Sequence, residues 1–133
     1  MAMETIKSYT DIERSKVLAE ILPLDSADYF YKYCIGHYNS IYYRLETYPY
    51  NKGANKNHDI PCWSLAALLN VLPKIYYPVK DHKTDLILGK PKDKWCVLYW
   101  DTTGMQHGEE TLGDNPVDAC VDMIVKLKEK NMI

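Results

Sequence analysis

The sequence has no apolar run that approaches the roughly 20 residues needed to span a lipid bilayer. Its first residues, from Met1 to Thr5, also lack the basic and apolar regions of a secretory signal peptide. We therefore expect no membrane association and a cytoplasmic location.

A strong excess of positive charge is missing as well. The chain holds 16 Lys and Arg against 18 Asp and Glu, a formal net charge of -2, whereas general nucleic-acid-binding domains are strongly basic. The six glycines are scattered and form none of the spaced motifs that hold phosphate groups. The charge thus argues against nucleic acid as a partner, and no cofactor is expected.

Paired cysteines are also absent. The four cysteines are far apart, and a Cys-x-x-Cys pair does not occur, so we expect free thiols in a reducing compartment rather than a disulfide framework. Cys34 and His37 have the spacing of metal ligands, but no second pair stands near them. Further side chains that could bind a metal surround the last predicted strand: Asp101, His107, Glu109, Glu110 and Asp114. Such side chains more often form a solvated rim. No metal site is expected.

The length and composition fit one ordinary globular domain. The 133 residues are 47% hydrophobic and 26% charged, as in soluble proteins, and a chain of this length can bury a core without disulfides or metals. We expect a single domain over residues 1–133.

Three helices are predicted. The first begins with a capping box in which Thr10 caps and Glu13 reaches back, and it carries an apolar stripe of Ile12, Val17, Leu18 and Ile21. The second is expected to open at Asp59-Ile60-Pro61, to run to Pro73 and to be largely buried. The third starts at Asn115 as cap, with Pro116 in the first helical position, and its inner stripe is Val117, Cys120, Val121, Ile124 and Leu127.

Strands are predicted between the second and third helices, at residues 74–79, 84–88, 94–100 and 105–110. Alternating β-formers indicate another strand at 41–46, followed by a long polar connection from Pro49 to Pro61. For residues 29–36 two interpretations stay open: a strand, because Tyr29, Tyr31 and Tyr33 alternate with other residues, or a short helix that ends at Gly36. The predicted class is α+β: an antiparallel β-meander with helices packed on one face and the C-terminal helix closing the core.

Three parts of the sequence carry a resemblance: residues 9–16 with 21–28, residues 60–69 and residues 115–120. The most specific stretch among them is Pro-Cys-Trp-Ser-Leu at 61–65. Together they resemble a family of small uncharacterised proteins from gut bacteria of the Bacteroides group and their phages or prophages. The resemblance implies a phage- or mobile-element-associated protein. It implies no known activity, so it assigns no catalytic or binding residue.

The most informative feature is a cluster of tyrosines. Eight of the twelve lie between Tyr29 and Tyr50, and tyrosine suits half-wet surfaces because it joins a large apolar ring to a hydroxyl. The expected binding residues are Tyr29, Tyr31, Tyr33, Tyr42, Tyr43, Arg44, Tyr48, Tyr50, Lys52 and Lys56. Three interpretations stand: the edge of a core, an interface with an unknown protein or a second copy, and stacking on single-stranded nucleic acid.

Cys62 supplies the rival hypothesis of a small cysteine-dependent hydrolase. A thiol at a helix N-terminus is activated by the backbone N–H groups and the helix dipole. Cys62 is expected at such a position, with His82 and His107 on later elements as possible bases. An inert thiol packed in the core is the alternative. The preferred prediction is a binding module rather than an enzyme.

Overall fold

The computed structural model describes residues 7–73, 75–76, 84–101 and 107–133. The described α-helices are α1 (Ile12–Ala19), α2 (Tyr50–Gly53), α3 (Leu65–Val71) and α4 (Pro116–Glu129). The described strands are β1 (Tyr29–Ile35), β2 (Ile41–Glu46), β3 (Ile60–Cys62), β4 (Ile75–Tyr76), β5 (Thr84–Gly89), β6 (Trp95–Asp101) and β7 (His107–Gly113). All pairs among these described strands are antiparallel, and the predicted α+β class is confirmed.

The chain divides into two compact units. One is Tyr9–Ala67, and the other contains the described residues of 1–8 and 68–133. Each unit has its own antiparallel sheet. The single domain expected over residues 1–133 stays a prediction.

The unit Tyr9–Ala67 is built on a sheet with the strand order β2-β1-β3. Residues 29–35 form a strand, as their alternation favoured, and residues 41–46 form the second arm of a hairpin with it. In the register of this hairpin, Tyr33 lies opposite Tyr43 and Ile35 lies opposite Ile41. Because side chains of opposed residues point to the same face, these four share one side of the sheet.

The first helix starts differently from the prediction. The cap of α1 is Asp11, whose carboxylate accepts the Arg14 N–H at 2.7 Å. Thr10, the predicted cap, is buried, and its hydroxyl accepts the Trp63 N–H at 3.1 Å instead. Val17 belongs to the predicted apolar stripe, yet 47% of its surface is exposed. The buried residues of this helix are Ser15 and Leu18, and the Ser15 hydroxyl lies 2.7 Å from that of Thr10.

The second helix also starts later than predicted. Residues 60–62 form strand β3, and α3 begins at Leu65, where the Ser64 hydroxyl accepts the Ala67 N–H. Pro61 is tolerated because β3 is the outer strand of its sheet. The helix is not largely buried, since Leu68 is enclosed while Ala66 is exposed.

The second unit contains a sheet with the strand order β4-β5-β6-β7. Helix α4 packs on β6 and β7, and the five residues of its predicted stripe are all buried. Asn115 caps it by accepting the Asp118 N–H at 2.9 Å, and Pro116 opens the first turn, as predicted. Of the strand expected at 74–79, the structure describes Ile75 and Tyr76. Residues 102–106, before β7, lie outside the described part.

Candidate functional site

The predicted tyrosine surface separates into buried and exposed parts. Tyr31 is only 9% exposed, and its hydroxyl donates to the Thr10 carbonyl at 2.6 Å. It forms a core cluster with Ile60 and Cys62, against which Tyr29 packs. Burial raises the pKa of the Tyr31 hydroxyl above its usual value of 10.0, because the tyrosinate would lose its hydration. Tyr31 is therefore a core residue, and Tyr29 belongs to the margin of that core.

Further along the same face, the side chains are left uncovered. Ile35 is 64% exposed and Ile41 is 59% exposed, and Tyr43 is exposed beside them. Tyr33 meets Tyr43 edge to face, with ring centroids 5.9 Å apart. We call Tyr33, Ile35, Ile41 and Tyr43 the hairpin face. It is an apolar and aromatic surface at the end of two paired strands.

One margin of the hairpin face is held by the polar connection that leads into β3. The His58 ring stacks on Tyr33 at 5.2 Å between centroids. The Asp59 carboxylate accepts the Tyr33 N–H at 2.8 Å and the Asn55 N–H at 2.7 Å. Asp59 therefore satisfies a strand donor at a position that β3, which starts at Ile60, does not reach.

The opposite face of the hairpin is more polar. Lys32 lies directly opposite Arg44, and Cys34 lies directly opposite Tyr42. Both cationic side chains are exposed, and Arg44 forms an ion pair with Glu46 at 2.8 Å. Tyr42 and Arg44 are therefore on the surface, on the other side of the sheet from Tyr33 and Tyr43.

The remaining predicted binding residues lie around α2. Tyr50 is buried, and this burial raises the pKa of its hydroxyl, whereas Tyr48, Lys52 and Lys56 are exposed. The Tyr48 ring lies against Gly53, where an added Cβ would stand 2.9 Å from the ring. The ten predicted residues therefore do not form one patch. The hairpin face brings together two of them, Tyr33 and Tyr43.

Cys62 is placed differently from the expectation on which the hydrolase hypothesis depends. It lies in strand β3 rather than at a helix N-terminus, and it has no exposed surface. Its thiol donates to the Thr10 carbonyl at 3.3 Å. Burial raises the pKa of the thiol, although hydrogen bonds with neighbouring hydroxyls act in the other direction. At neutral pH such a thiol stays protonated and is a poor nucleophile.

The two histidines predicted as bases for Cys62 have no described side chains. His82 and the His107 side chain lie outside the described part of the chain. Within that part, no group of three or more His, Cys, Asp or Glu side chains is arranged to hold a metal. Glu109 instead forms ion pairs with Lys126 and Lys130, which lower the pKa of its carboxyl, and Asp114 pairs with Lys94.

Trp63 and Ser64 have a structural role. The Trp63 N–H donates to Thr10, the Trp63 indole donates to Ser26 at 2.9 Å, and the Ser64 N–H donates to Asp28 at 2.9 Å. Residues 9–16, 21–28 and 60–69 therefore meet in one hydrogen-bonded cluster. These hydrogen bonds hold distant segments of the chain together in the structure.

Three exposed residues at the end of the hairpin are not among the predicted binding residues. Ile35 and Ile41 flank the turn, and Tyr38 stands at its tip, fully exposed with a backbone φ of 57°. This left-handed conformation is unfavourable for a residue with a Cβ. Strand parity could have indicated the two isoleucines, since they share a face with Tyr33 and Tyr43. The exposure of Tyr38 has no comparable sequence signal.

A second exposed apolar face lies on the sheet of the other unit. Ile87 and Leu112 are exposed there, on the side opposite the buried Val97 and Tyr99. Two grooves of about 350 and 380 Å³ lie on this face, and Pro91 lines both of them. Sequence patterns did not single out these residues as a site.

Comparison with known proteins adds no identity to this geometry: no protein-family model matches the chain, and neither the curated proteins nor the solved structures contain a match. Within its described residues, the chain has no helix long and apolar enough to cross a bilayer.

Proposed function

We propose that the protein is a non-catalytic binding module that engages a protein partner through the hairpin face. The observation that carries this proposal is that side-chain exposure rises along one side of β1 and β2. Tyr31 is enclosed by neighbouring residues of its unit, whereas Ile35 and Ile41 on the same side are more than half exposed. Exposed aromatic and aliphatic side chains placed together are typical of interaction sites.

The proposal places the protein in the cytoplasm. Its four cysteines are all free thiols, and three of them are buried. Free buried cysteines are typical of proteins from reducing compartments. An accessory role in phages or mobile elements belongs to the same proposal, and its support is the resemblance described above.

Selection from a displayed library of random peptides tests the binding function without a known partner. Peptides selected on the wild-type chain should bind Ile35→Lys about tenfold more weakly, because a charged side chain would then lie in the apolar contact. Val17→Lys is the matched control, since Val17 is an exposed apolar residue on α1. Equal binding to all three proteins, or failure to select any peptide, would contradict the proposal.

A fluorescent single-stranded oligonucleotide tests the nucleic-acid alternative. Binding that weakens steeply as salt rises and that is lost in Arg44→Gln would replace the protein partner with a nucleic acid. Salt-insensitive or absent binding leaves the proposal in place. Sedimentation of the chain alone identifies the third possibility, a homodimer that Ile35→Lys dissociates.

A further inference from the structure

Strand β2 has backbone groups that face away from its neighbour. At the turn, the Gly36 N–H donates to the Ser40 carbonyl at 2.6 Å. Along an antiparallel strand, the N–H and C=O of one residue point to the same side, and successive residues alternate. The backbone groups of Tyr42 and Arg44 therefore point towards β1. Those of Ile41, Tyr43 and Leu45 point outward, and we call them the outer edge.

The position of Tyr33 gives an independent check of this alternation. Tyr33 lies opposite Tyr43, so its N–H should point away from β2, as the Tyr43 N–H points away from β1. The Tyr33 N–H indeed donates to Asp59, on the side of β3. The direction of the outer edge is thus supported from both strands of the hairpin.

The two sides of this sheet are protected to different degrees. Beyond the end of β3, Asp59 occupies the Tyr33 donor, and β3 itself contains Pro61, which has no N–H to offer. In the described part of the chain, β2 has β1 as its one strand partner, and its residues Ile41 to Arg44 are exposed. An outer strand without such protection is a template for pairing with another strand.

The side chains beside the outer edge differ between the two faces. One face presents the apolar Ile41 and Tyr43. On the other face, Lys32 lies directly opposite Arg44, a like-charge pair that is unfavourable in a sheet, and Glu46 compensates one of the two charges. Lys32 and Arg44 with Glu46 leave a net positive charge on this face, which a carboxylate placed opposite Arg44 on the outer side would balance.

We propose that the outer edge accepts an extended segment of a partner protein as an additional antiparallel strand, with apolar residues opposite Tyr43 and Leu45 and an acidic residue opposite Arg44. This inference rests on the proposed binding function and specifies its partner. The main-chain hydrogen bonds provide affinity, and the alternating side chains provide selectivity, as in other cases of strand addition.

A second copy of the chain complements this edge less well. Pairing of two β2 strands centred on Arg44 sets the two guanidinium groups against each other. Pairing centred on Tyr43 places no carboxylate opposite Arg44. Pairing centred on Leu45 sets Arg44 opposite Glu46, but Ile41 then lies outside the ladder because β2 ends at Glu46. An acidic and apolar segment satisfies the whole strand at once.

Amide hydrogen exchange of the full chain tests the inference directly. The probe is a capped peptide, Lys-Val-Glu-Val-Thr-Val, which in antiparallel pairing sets its Glu opposite Arg44 and its Lys opposite Glu46. Adding it should slow exchange at Ile41, Tyr43 and Leu45, whereas Tyr42 and Arg44 are already protected in the free protein. The isomer Glu-Val-Lys-Val-Thr-Val has the same composition with its charges exchanged, and it should bind about tenfold more weakly.

Two substitutions at one position separate the backbone contribution from that of the side chain. Tyr43→Ala removes the ring and keeps the outward N–H, whereas Tyr43→Pro removes both and leaves the hydrogen bonds to β1 intact. The proline variant should bind the probe about tenfold more weakly than the alanine variant. If circular dichroism shows that the proline variant is unfolded, hydrogen exchange of the wild type alone determines whether the probe pairs with the outer edge.

The outcomes distinguish this inference from the proposed function. A library peptide that loses affinity for Ile35→Lys, with no protection of the outer edge and equal binding to the two Tyr43 variants, would overturn strand addition and keep the binding module. Equal affinity of the two charge isomers would overturn the acidic partner. Outer-edge protection that grows with protein concentration in the free chain would identify a second copy as the occupant and overturn the proposed segment.

Discussion

The two ends of the β1–β2 hairpin carry similar side chains in opposite surroundings. At one end, Tyr31 is enclosed with Cys62 in a core. At the other, Tyr43 and Cys34 lie on strands of the same sheet and reach solvent. The difference comes from what covers the sheet rather than from residue type. The number of tyrosines in this stretch therefore locates the hairpin, and the residues packed against its sheet determine which part is free to bind.

The largest expected contrast is between Cys34, at the end of the hairpin that reaches solvent, and the buried thiols. Cys34 should react with iodoacetamide in the native protein. Cys62, which is fully buried with a raised pKa, and Cys120, whose pKa burial raises to about 12, should react roughly a thousandfold more slowly, since they depend on unfolding. Mass spectrometry of the alkylated peptides measures the rates. Cys34→Ser is the control, and preferential native labelling of Cys62 would revive the hydrolase hypothesis.

Replacing Tyr31 or Tyr43 by alanine should lower the stability of the protein by different amounts. Tyr31→Ala removes a buried ring and should cost about 3–5 kcal/mol in the free energy of unfolding. Tyr43→Ala loses the contact with Tyr33 and should cost about 1 kcal/mol. Urea denaturation of both variants gives the comparison. Similar losses at the two positions would mean that the exposed end is part of the core after all.

The enclosed end should also depend on one buried hydroxyl. Thr10→Val leaves the Trp63 N–H without its acceptor, which should cost about 1–3 kcal/mol. Thr10→Ser keeps the hydroxyl and loses one methyl group, at a cost of about 1 kcal/mol. Thermal unfolding of the pair measures the difference. A valine variant as stable as the serine variant would show that this hydrogen bond contributes little.

The smallest effect should appear in alkaline solution. The pKa of Tyr31 is raised in the folded protein, so the stability linked to its neutral hydroxyl is complete below about pH 10 and declines as the pH rises towards the folded pKa. Between about pH 9 and 11 the wild type should lose about 1 kcal/mol more than Tyr31→Phe. Denaturant titrations at the two pH values provide the measurement, and parallel losses would argue against ionisation of Tyr31.

The parts of the fold that depend on local signals could be predicted from the sequence. Asn115 followed by Pro116 determines the start of α4 through side-chain capping and a fixed φ, both of which act within a few residues. The turn signals around Gly89 likewise separate β5 from β6. Such features require no knowledge of distant contacts.

The predictions from the sequence are wrong where contacts with distant segments determine the local structure. Threonine is a common helix cap, but the Thr10 hydroxyl accepts the N–H of Trp63, more than 50 residues away. Residues 60–62 could have opened α3, yet pairing with β1 makes them a strand. For the candidate site, alternation could assign Tyr33 and Ile35 to one face. It could not show that the neighbouring elements leave that end uncovered.

The exposed turn at Tyr38 is a suitable site for inserting a tag or a fluorophore. The residue projects wholly into solvent, and the strands that flank it are held together by their own register from Ile35 and Ile41 inward. Loop tips of this kind accept proteolytic nicks and insertions. A short peptide tag or a fluorophore after Tyr38 would leave the core around Tyr31 untouched. Since the turn adjoins the hairpin face, it would also report what binds there.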